Sequence, residues 1–143
     1  MRLWHQSLIH YLDNKRLLSQ HRECCALRGK GWGRKHSVVD YVFKYDLAHL
    51  YAYHIIVMDE MTRREYDVHG LWGLRTYRGK NLPALSINEV GAYVHIYNSG
   101  MIYEEHNDNY LRECLLNLKA KDAKLVNGKT IDEWLIELDL KGV

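Results

Sequence analysis

The sequence predicts a mostly α-helical protein, and three observations support this prediction. Only one of its 143 residues is a proline, the residue that most strongly disrupts helix interiors. Three long stretches carry apolar side chains at the spacing of one helix face. Residues that commonly cap helices stand at the ends of these stretches. We therefore expect three main helices and a short C-terminal helix in one compact domain covering residues 1–143, with long irregular loops and a small hairpin.

The first main helix is predicted to run to about Arg28, after a short amphipathic lead-in over residues 1–10. Asp13 or Asn14 can cap its start, and Gly29 can end it. Its inner face is predicted from apolar spacing at i, i+3, i+4 and i+7. That face consists of Leu17, Leu18, His21, Cys24, Cys25 and Leu27.

The second main helix is predicted from a cap at Asp46 to about Arg64. Its inner face is the clearest amphipathic pattern in the chain. That face contains Leu47, Leu50, His54, Val57, Met58 and Met61. Before this helix, Ser37 and Asp40 have the spacing of a capping box, so residues 38–43 are predicted to form either a short helix or an extended segment.

The helical pattern is lost between residues 66 and 103, where glycines interrupt the chain repeatedly. Residues 93–97 alternate in character, and a turn at residues 98–100 would bring residues 101–103 beside them. This arrangement predicts the small hairpin.

The last part of the chain again shows helical spacing. The third main helix is predicted over about residues 107–121. Its inner face contains Tyr110, Leu111, Cys114, Leu115 and Leu118. Thr130 and Glu133 have the spacing of a capping box, which predicts the start of the short last helix.

Composition and charge exclude several classes of protein. The formal net charge is only +2, so a surface for a polyanion must come from local clusters of basic residues. Three cysteines without CxxC spacing disfavour a disulfide framework and a zinc site. No apolar run reaches the roughly 18 residues of a membrane span, and the first residues lack the apolar core of a signal peptide. We therefore expect a soluble, cytoplasmic protein that is not bound to membranes.

Arg22 and Glu23 stand side by side on the first predicted helix. Taken alone, adjacent opposite charges are usually solvated surface. Three further motifs follow in order, and these are Arg34-Lys35-His36, Tyr45-Asp46 and Arg63-Arg64-Glu65-Tyr66. In this order and spacing, and in chain length, the sequence resembles the pyrimidine-dimer DNA glycosylases with abasic-site lyase activity, the phage-type endonuclease V family.

The resemblance implies a mechanism that depends on a free amino terminus and needs no metal or other cofactor. Met1 would supply the amine that forms a Schiff base with the sugar, Glu23 would move protons, and Arg22 would hold the adjacent phosphate. An α-amino group titrates near ~7.7 to 8.0 and a lysine near ~10.4, so about a quarter of the α-amine is neutral at pH 7.4. A free amino terminus is therefore the better nucleophile.

Two positions depart from the family pattern. The best-known members have a small residue after the initiator methionine, which is removed, whereas Arg2 is too bulky for ordinary methionine removal. The nucleophile is therefore displaced by one residue, to Met1. The family also has a basic residue one turn after its glutamate, where this chain has Ala26 and Leu27, and Arg28 is the nearest substitute.

Basic and aromatic residues near these motifs are the predicted DNA contacts. They are Arg2, His21, Arg28, Trp32, Arg34, Lys35, His36, Arg75, Arg78 and Lys80. Such groups neutralise phosphates and stack on bases, although ordinary solvated loops can have the same composition. Trp32, Trp72 or Tyr77 could insert into the duplex.

The histidines leave alternatives open. His54 lies on an inner helix face, where a core histidine is expected, while His21 is equally consistent with DNA contact or with orienting Glu23. No spacing supports a metal site from His5, His10, His21 and Cys24.

We therefore expect a monomeric DNA repair enzyme whose partner is double-stranded DNA containing a lesion or an abasic site. The alternatives are a non-catalytic relative that only binds nucleic acid and a glycosylase for a different modified base.

Overall fold

The computed structural model describes residues 2–29, 39–68, 70–90 and 93–143, with the side chains of residues 89 and 90 excluded. Across these ranges the chain forms α-helices and two 3-10 helices, and it contains no β-strand. The α-helices are α1 Asn14–Arg28, α2 Leu47–Arg63, α3 Ile87–Val90, α4 Tyr93–Asn98, α5 Asp108–Ala120 and α6 Ile131–Leu140. The 3-10 helices are Gln6–Tyr11 and Asp40–Lys44. The mostly α-helical fold class is confirmed.

The capping residues mark where the four longer helices begin. Asp13 and Asp46 occupy the N-cap positions of α1 and α2. The side chain of Asn107 accepts a hydrogen bond from a backbone N–H in the first turn of α5 at 2.9 Å. Thr130 and Glu133 form the predicted capping box at the start of α6. The contacts of Asn107 and Thr130 satisfy N–H groups that have no partner within the helix, whereas Asp13 and Asp46 form no side-chain capping hydrogen bond.

The prediction of a hairpin is wrong. Residues 93–98 form α4, and the backbone N–H of Ser99 donates to the carbonyl oxygen of His95 at 3.0 Å, as at the end of a helix. An alternation of five residues is too short to separate a strand from a helix. Residues 38–43 were predicted to form either a short helix or an extended segment, and the structure shows a 3-10 helix over residues 40–44. Ser37 lies outside the described residues.

The core contains buried side chains from α1, α2 and α5, and α2 contacts α1, α3, α4 and both 3-10 helices. Its largest fully buried side chains include Leu17, Leu27, Leu50, Tyr53, Leu115 and Leu118. The inner face of α1 also buries Gln20 and Arg28, two polar residues absent from the predicted apolar stripe. None of the described helices is both long and apolar enough to cross a bilayer.

Candidate active site

Glu23 is half-buried on α1, and its carboxylate accepts a hydrogen bond from Gln20 Nε2 at 2.8 Å. Burial raises the pKa of the Glu23 carboxyl group, and the positive charges of Arg22 and Lys121 partly oppose this increase. A carboxyl group with a raised pKa exchanges protons closer to neutral pH than an exposed glutamate. Glu23 is therefore suited to acid–base chemistry.

The N-terminal segment, defined here as residues 2–4, has no regular secondary structure but is held by side chains. The carbonyl oxygens of Arg2, Leu3 and Trp4 accept hydrogen bonds at 3.0, 2.5 and 2.6 Å. The donors come from three helices, and they are Gln20 of α1, Tyr110 of α5 and Tyr53 of α2. The position of the chain immediately after Met1 is therefore fixed, while Met1 itself lies outside the described residues.

Gln20 connects the N-terminal segment to Glu23. Its Nε2 atom donates both to the Arg2 carbonyl oxygen at 3.0 Å and to Glu23 Oε2 at 2.8 Å. The carbonyl oxygen of residue 2 and the carboxylate therefore share a single amide group. The sequence analysis did not identify Gln20. The one indication in the sequence is that a polar residue stands three positions after Leu17, on the predicted inner face of α1.

Arg22 is exposed on α1, and its guanidinium donates to Ser19 Oγ at 3.0 Å. Within the described residues it forms no ion pair. Ala26 follows Arg22 on the same face of α1, since residues four positions apart align along a helix. Ala26 lines a cavity of about 340 Å³ together with Gly29, Arg78 and Lys80. Arg22 and two of the predicted DNA contacts therefore lie along one side of the molecule.

Arg28 is not part of that surface, because it is only 2% exposed. Its guanidinium lies between the rings of Tyr51 and Trp72, with centroid distances of 5.0 and 5.1 Å. Four N–H groups donate to His54 Nδ1 and to three backbone carbonyl oxygens. The carbonyl acceptors belong to Trp72, Leu74 and Tyr77. This buried position disfavours a contact between Arg28 and DNA, since the hydrogen-bonding groups of Arg28 are engaged inside the protein.

His21 also points inward, where it forms a cluster with His54 and Cys25. Arg28 can only donate, so His54 Nδ1 must accept its hydrogen bond at 3.0 Å, which places the proton of neutral His54 on Nε2. That nitrogen then donates to His21 Nδ1 at 2.8 Å, and His21 Nε2 lies 3.8 Å from Cys25 Sγ. The cluster is thus a directed chain of hydrogen bonds.

The same series of hydrogen bonds disfavours a metal ion at the cluster of His21, Cys25 and His54. A metal at His54 Nε2 would need the lone pair of that nitrogen, which would move the proton to Nδ1, facing the Arg28 guanidinium. The buried positive charge of Arg28 would also repel the ion. Burial, followed by the neighbouring Arg28 and His21, holds the pKa of His54 well below its usual range. We interpret His54 as a core histidine that orients Arg28 and His21.

The remaining predicted contacts occupy different environments. Arg2 forms an ion pair with Glu113, with 3.1 Å between Nη1 and Oε1. The guanidinium of Arg75 lies over the ring of Tyr93 at 5.5 Å. The other four predicted contacts lie outside the described residues, and they are Trp32, Arg34, Lys35 and His36.

The fold and the candidate site define a helical protein in which a half-buried carboxyl group lies next to an N-terminal segment held by hydrogen bonds. The sequence model of the family described as pyrimidine dimer DNA glycosylase matches residues 1–74. The chain belongs to this family, which makes it a DNA glycosylase of DNA repair with damaged DNA as its substrate. No curated protein and no solved structure matches the chain significantly. The family match contains α1 and α2, whereas α5 and α6 lie beyond it.

Proposed function

We propose that this glycosylase removes the damaged base and then cleaves the DNA backbone at the resulting abasic site. Met1 supplies the nucleophilic amine, Glu23 transfers protons and Arg22 binds the adjacent phosphate. The observation that supports the proposal is that the side-chain amide of Gln20 donates hydrogen bonds both to the Arg2 carbonyl oxygen and to the Glu23 carboxylate. Gln20 therefore holds the chain next to Met1 close to Glu23. Reacting groups held at a fixed separation gain much of their rate from that geometry.

The proposed reaction begins when the neutral α-amine attacks C1′ of the damaged nucleotide. The new N–C1′ bond forms as the glycosidic bond breaks, and its electron pair leaves with the base, which takes up a proton. Opening of the sugar ring, with proton transfer through Glu23, gives an imine. Glu23 then accepts the C2′ proton, and the C3′–O bond breaks with its electron pair departing on the phosphate. Hydrolysis of the imine returns the amine.

The environment of Glu23 supports these proton transfers. Burial raises its pKa, so the carboxyl group is a better acid and base near neutral pH than an exposed glutamate. Arg22 stands next to it on α1 and is exposed, which leaves its guanidinium accessible to a phosphate. Arg78 and Lys80 line the cavity beside Ala26 and Gly29, and their positive charges can attract further DNA phosphates.

Borohydride trapping on an abasic-site duplex tests the nucleophile. The chain with a free Met1 amine is compared with the same chain carrying extra residues before Met1. We expect a covalent adduct that maps to Met1 and disappears when the amine is blocked. An adduct that survives the extension would identify a lysine as the nucleophile and contradict the role of Met1.

The change Glu23→Gln tests the proton-transfer role. We expect nicking of the abasic-site duplex to fall by at least about 100-fold, because general acid–base catalysis contributes about that much or more, while the Kd for the duplex changes little. Glu104→Gln, at an exposed glutamate, is the matched control. Tight DNA binding without nicking by the unchanged protein would instead favour the non-catalytic relative.

A further inference from the structure

The chain after α2 contains an irregular segment that is nevertheless firmly held. We call residues 70–80 the leucine loop. The guanidinium of Arg28 donates hydrogen bonds to three of its carbonyl oxygens, those of Trp72, Leu74 and Tyr77, at 2.7, 2.6 and 2.9 Å. Because Arg28 is itself buried on α1, the backbone of the leucine loop is anchored to the interior of the protein.

Two leucines of this loop lie at the molecular surface. Leu71 is 56% exposed and Leu74 is 54% exposed. The Leu74 N–H donates to the Leu71 carbonyl oxygen at 3.0 Å, so the two residues occupy the ends of a single turn, where their Cα atoms lie within about 7 Å of each other. They form an apolar patch that the described part of the chain leaves open to solvent, although exposure of apolar surface opposes folding.

The charge of the loop indicates which kind of partner covers this patch. Residues 70–80 contain three basic residues, Arg75, Arg78 and Lys80, and no acidic residue. A DNA duplex combines anionic phosphates with an apolar stack of bases, and proteins that bend DNA place apolar side chains into that stack. Charge complementarity therefore favours a DNA duplex as the partner of the two leucines.

The leucine loop lies beside the candidate active site. Its residues Trp72, Arg78 and Lys80 line the cavity of about 340 Å³ together with Ala26 of α1. Ala26 stands one helical turn after Arg22 on the same face of α1. A DNA strand bound at Arg22 would therefore run close to the loop.

The aromatic side chains of the loop are less suited to insertion than its leucines. The rings of Trp72 and Tyr77 pack edge to face with 4.8 Å between their centroids, and Trp72 also lies 5.1 Å from the guanidinium of Arg28. Moving either ring into DNA would break these contacts. Trp32, the third aromatic candidate, lies outside the described residues. The exposed leucines can enter DNA without dismantling the packing around Arg28.

We propose that Leu71 and Leu74 form an apolar wedge that enters the base stack beside the target nucleotide. The inference rests on the proposed function, in which C1′ of that nucleotide must reach the amino terminus. An enzyme that acts on a nucleotide of a duplex must take it out of the stack, and an inserted apolar side chain replaces part of the lost stacking contact. The anchored backbone behind the wedge keeps the leucines from yielding.

Fluorescence of 2-aminopurine tests the wedge. The probe stands in the base pair next to an abasic site, and its emission increases when it leaves the stack. We expect the unchanged protein to increase the emission on binding, and the double variant Leu71→Ala with Leu74→Ala to lose this increase. The slope of log K against log salt should stay the same in that variant, because leucine contributes no charge.

Two further variants separate insertion from a general effect on the fold. The double variant Leu71→Met with Leu74→Met keeps the apolar bulk and should keep the fluorescence increase. Leu140→Ala replaces a leucine that is 83% exposed at the end of α6, and it should also leave the increase unchanged. Loss of the increase in the Leu140 control, or its full retention in the double alanine variant, would overturn the inference.

Single-turnover nicking of an abasic site, in a duplex and in a single strand, connects the wedge to the reaction. The double alanine variant should nick the duplex at least about 10-fold more slowly, because the wedge lowers the free energy needed to open the stack. It should nick the single strand at the unchanged rate, since no duplex has to be opened.

Equal losses on the two substrates would overturn the wedge and leave the proposed function intact. Tight binding without nicking by the unchanged protein would overturn the proposed function, and the fluorescence assay would still decide whether the leucines enter the stack. Absence of binding to the duplex would overturn both.

Discussion

At the scale of single residues, Gln20 has its whole hydrogen-bonding capacity in use. Its Oε1 atom accepts from the Trp4 N–H at 2.7 Å and from the Tyr53 hydroxyl at 2.9 Å. Because a backbone N–H can only donate and a carbonyl oxygen can only accept, the amide has one allowed orientation. That orientation directs an N–H toward Glu23. The backbone of the N-terminal segment thereby determines which atom the Glu23 carboxylate faces.

Gln20→Met tests this role with a side chain of similar length. We expect nicking to fall by more than about 10-fold, because small losses of geometry are costly in catalysis, and unfolding to require about 1–3 kcal/mol less, because the Trp4 N–H is left unsatisfied. Single-turnover nicking and urea unfolding are measured together. Gln6→Met is the control, since Gln6 bonds to Gly100 and Ile102 away from Glu23. Equal losses of nicking in both variants would contradict the proposed role.

Sequence reasoning singled out Glu23 and Arg22 as candidate residues but did not single out Gln20, and the difference has a physical cause. The charged pair belongs to a series of motifs with recognisable spacing, whereas Gln20 acts through backbone atoms of residues 16 and 18 positions earlier. Those partners become neighbours only after the chain folds.

At the scale of elements, Arg28 joins the end of α1 to the irregular segment after α2. The planar guanidinium satisfies three carbonyl oxygens and one imidazole at once. Sequence reasoning placed Arg28 among the DNA contacts, because it is the nearest substitute for the basic residue that the family has one turn after its glutamate. The rings of Tyr51, on α2, and Trp72, in the following segment, both lie against its guanidinium. Burying the arginine therefore requires contacts with residues distant in sequence.

Arg28→Lys keeps the charge but removes the fork of donors. We expect the free energy of unfolding to decrease by about 2 kcal/mol or more, since three N–H groups cannot satisfy four acceptors arranged for a guanidinium. Urea unfolding measures the change. The control is Arg112→Lys, where the arginine pairs with the exposed Asp139, and a loss below about 1 kcal/mol is expected there. A similar small loss at Arg28 would show that the fork contributes little.

The helices with identifiable caps were predicted within a residue or two, because capping depends on local chemistry. Thr130 with Glu133 and Asn107 act on N–H groups of their own first turn. Helix α4 lacked such a signal in the sequence. Its short sequence is compatible with both a strand and a helix. In the structure it is helical and packs against α2, a contact that the local sequence does not reveal.

At the scale of the whole molecule, buried histidines make stability dependent on pH. His106 is 3% exposed, its Nδ1 atom accepts from the Gln6 N–H, and burial, followed by the nearby His5, lowers its pKa to about 3. Burial likewise lowers the pKa values of His5 and His54. Below a pH of 6.5, the usual pKa, the unfolded chain binds protons that the folded chain does not. Stability is therefore full above pH 6.5 and falls as the pH decreases toward 3.

We expect the free energy of unfolding to fall below pH 6.5 by up to about 1.4 kcal/mol per pH unit for each such histidine. Urea unfolding at several pH values between roughly 5 and 8 measures this slope. His106→Gln should reduce the slope of the unfolding free energy against pH by the contribution of one histidine. His95→Gln, at an exposed position in α4, should leave the slope unchanged. An unaltered slope in His106→Gln would show that this imidazole is protonated in the folded protein.

The hydroxyl group of Tyr110 has a consequence for how this protein can diverge from its relatives. It holds the carbonyl oxygen of Leu3, yet it lies on α5, beyond the residues 1–74 that carry the family signature. Recombination that transfers only the first half of the gene would deliver Glu23 and Arg22 without one of the three hydrogen-bond donors that hold the segment beside Met1. The two halves are therefore expected to be inherited together, with substitutions in α5 constrained by the position of the amino terminus.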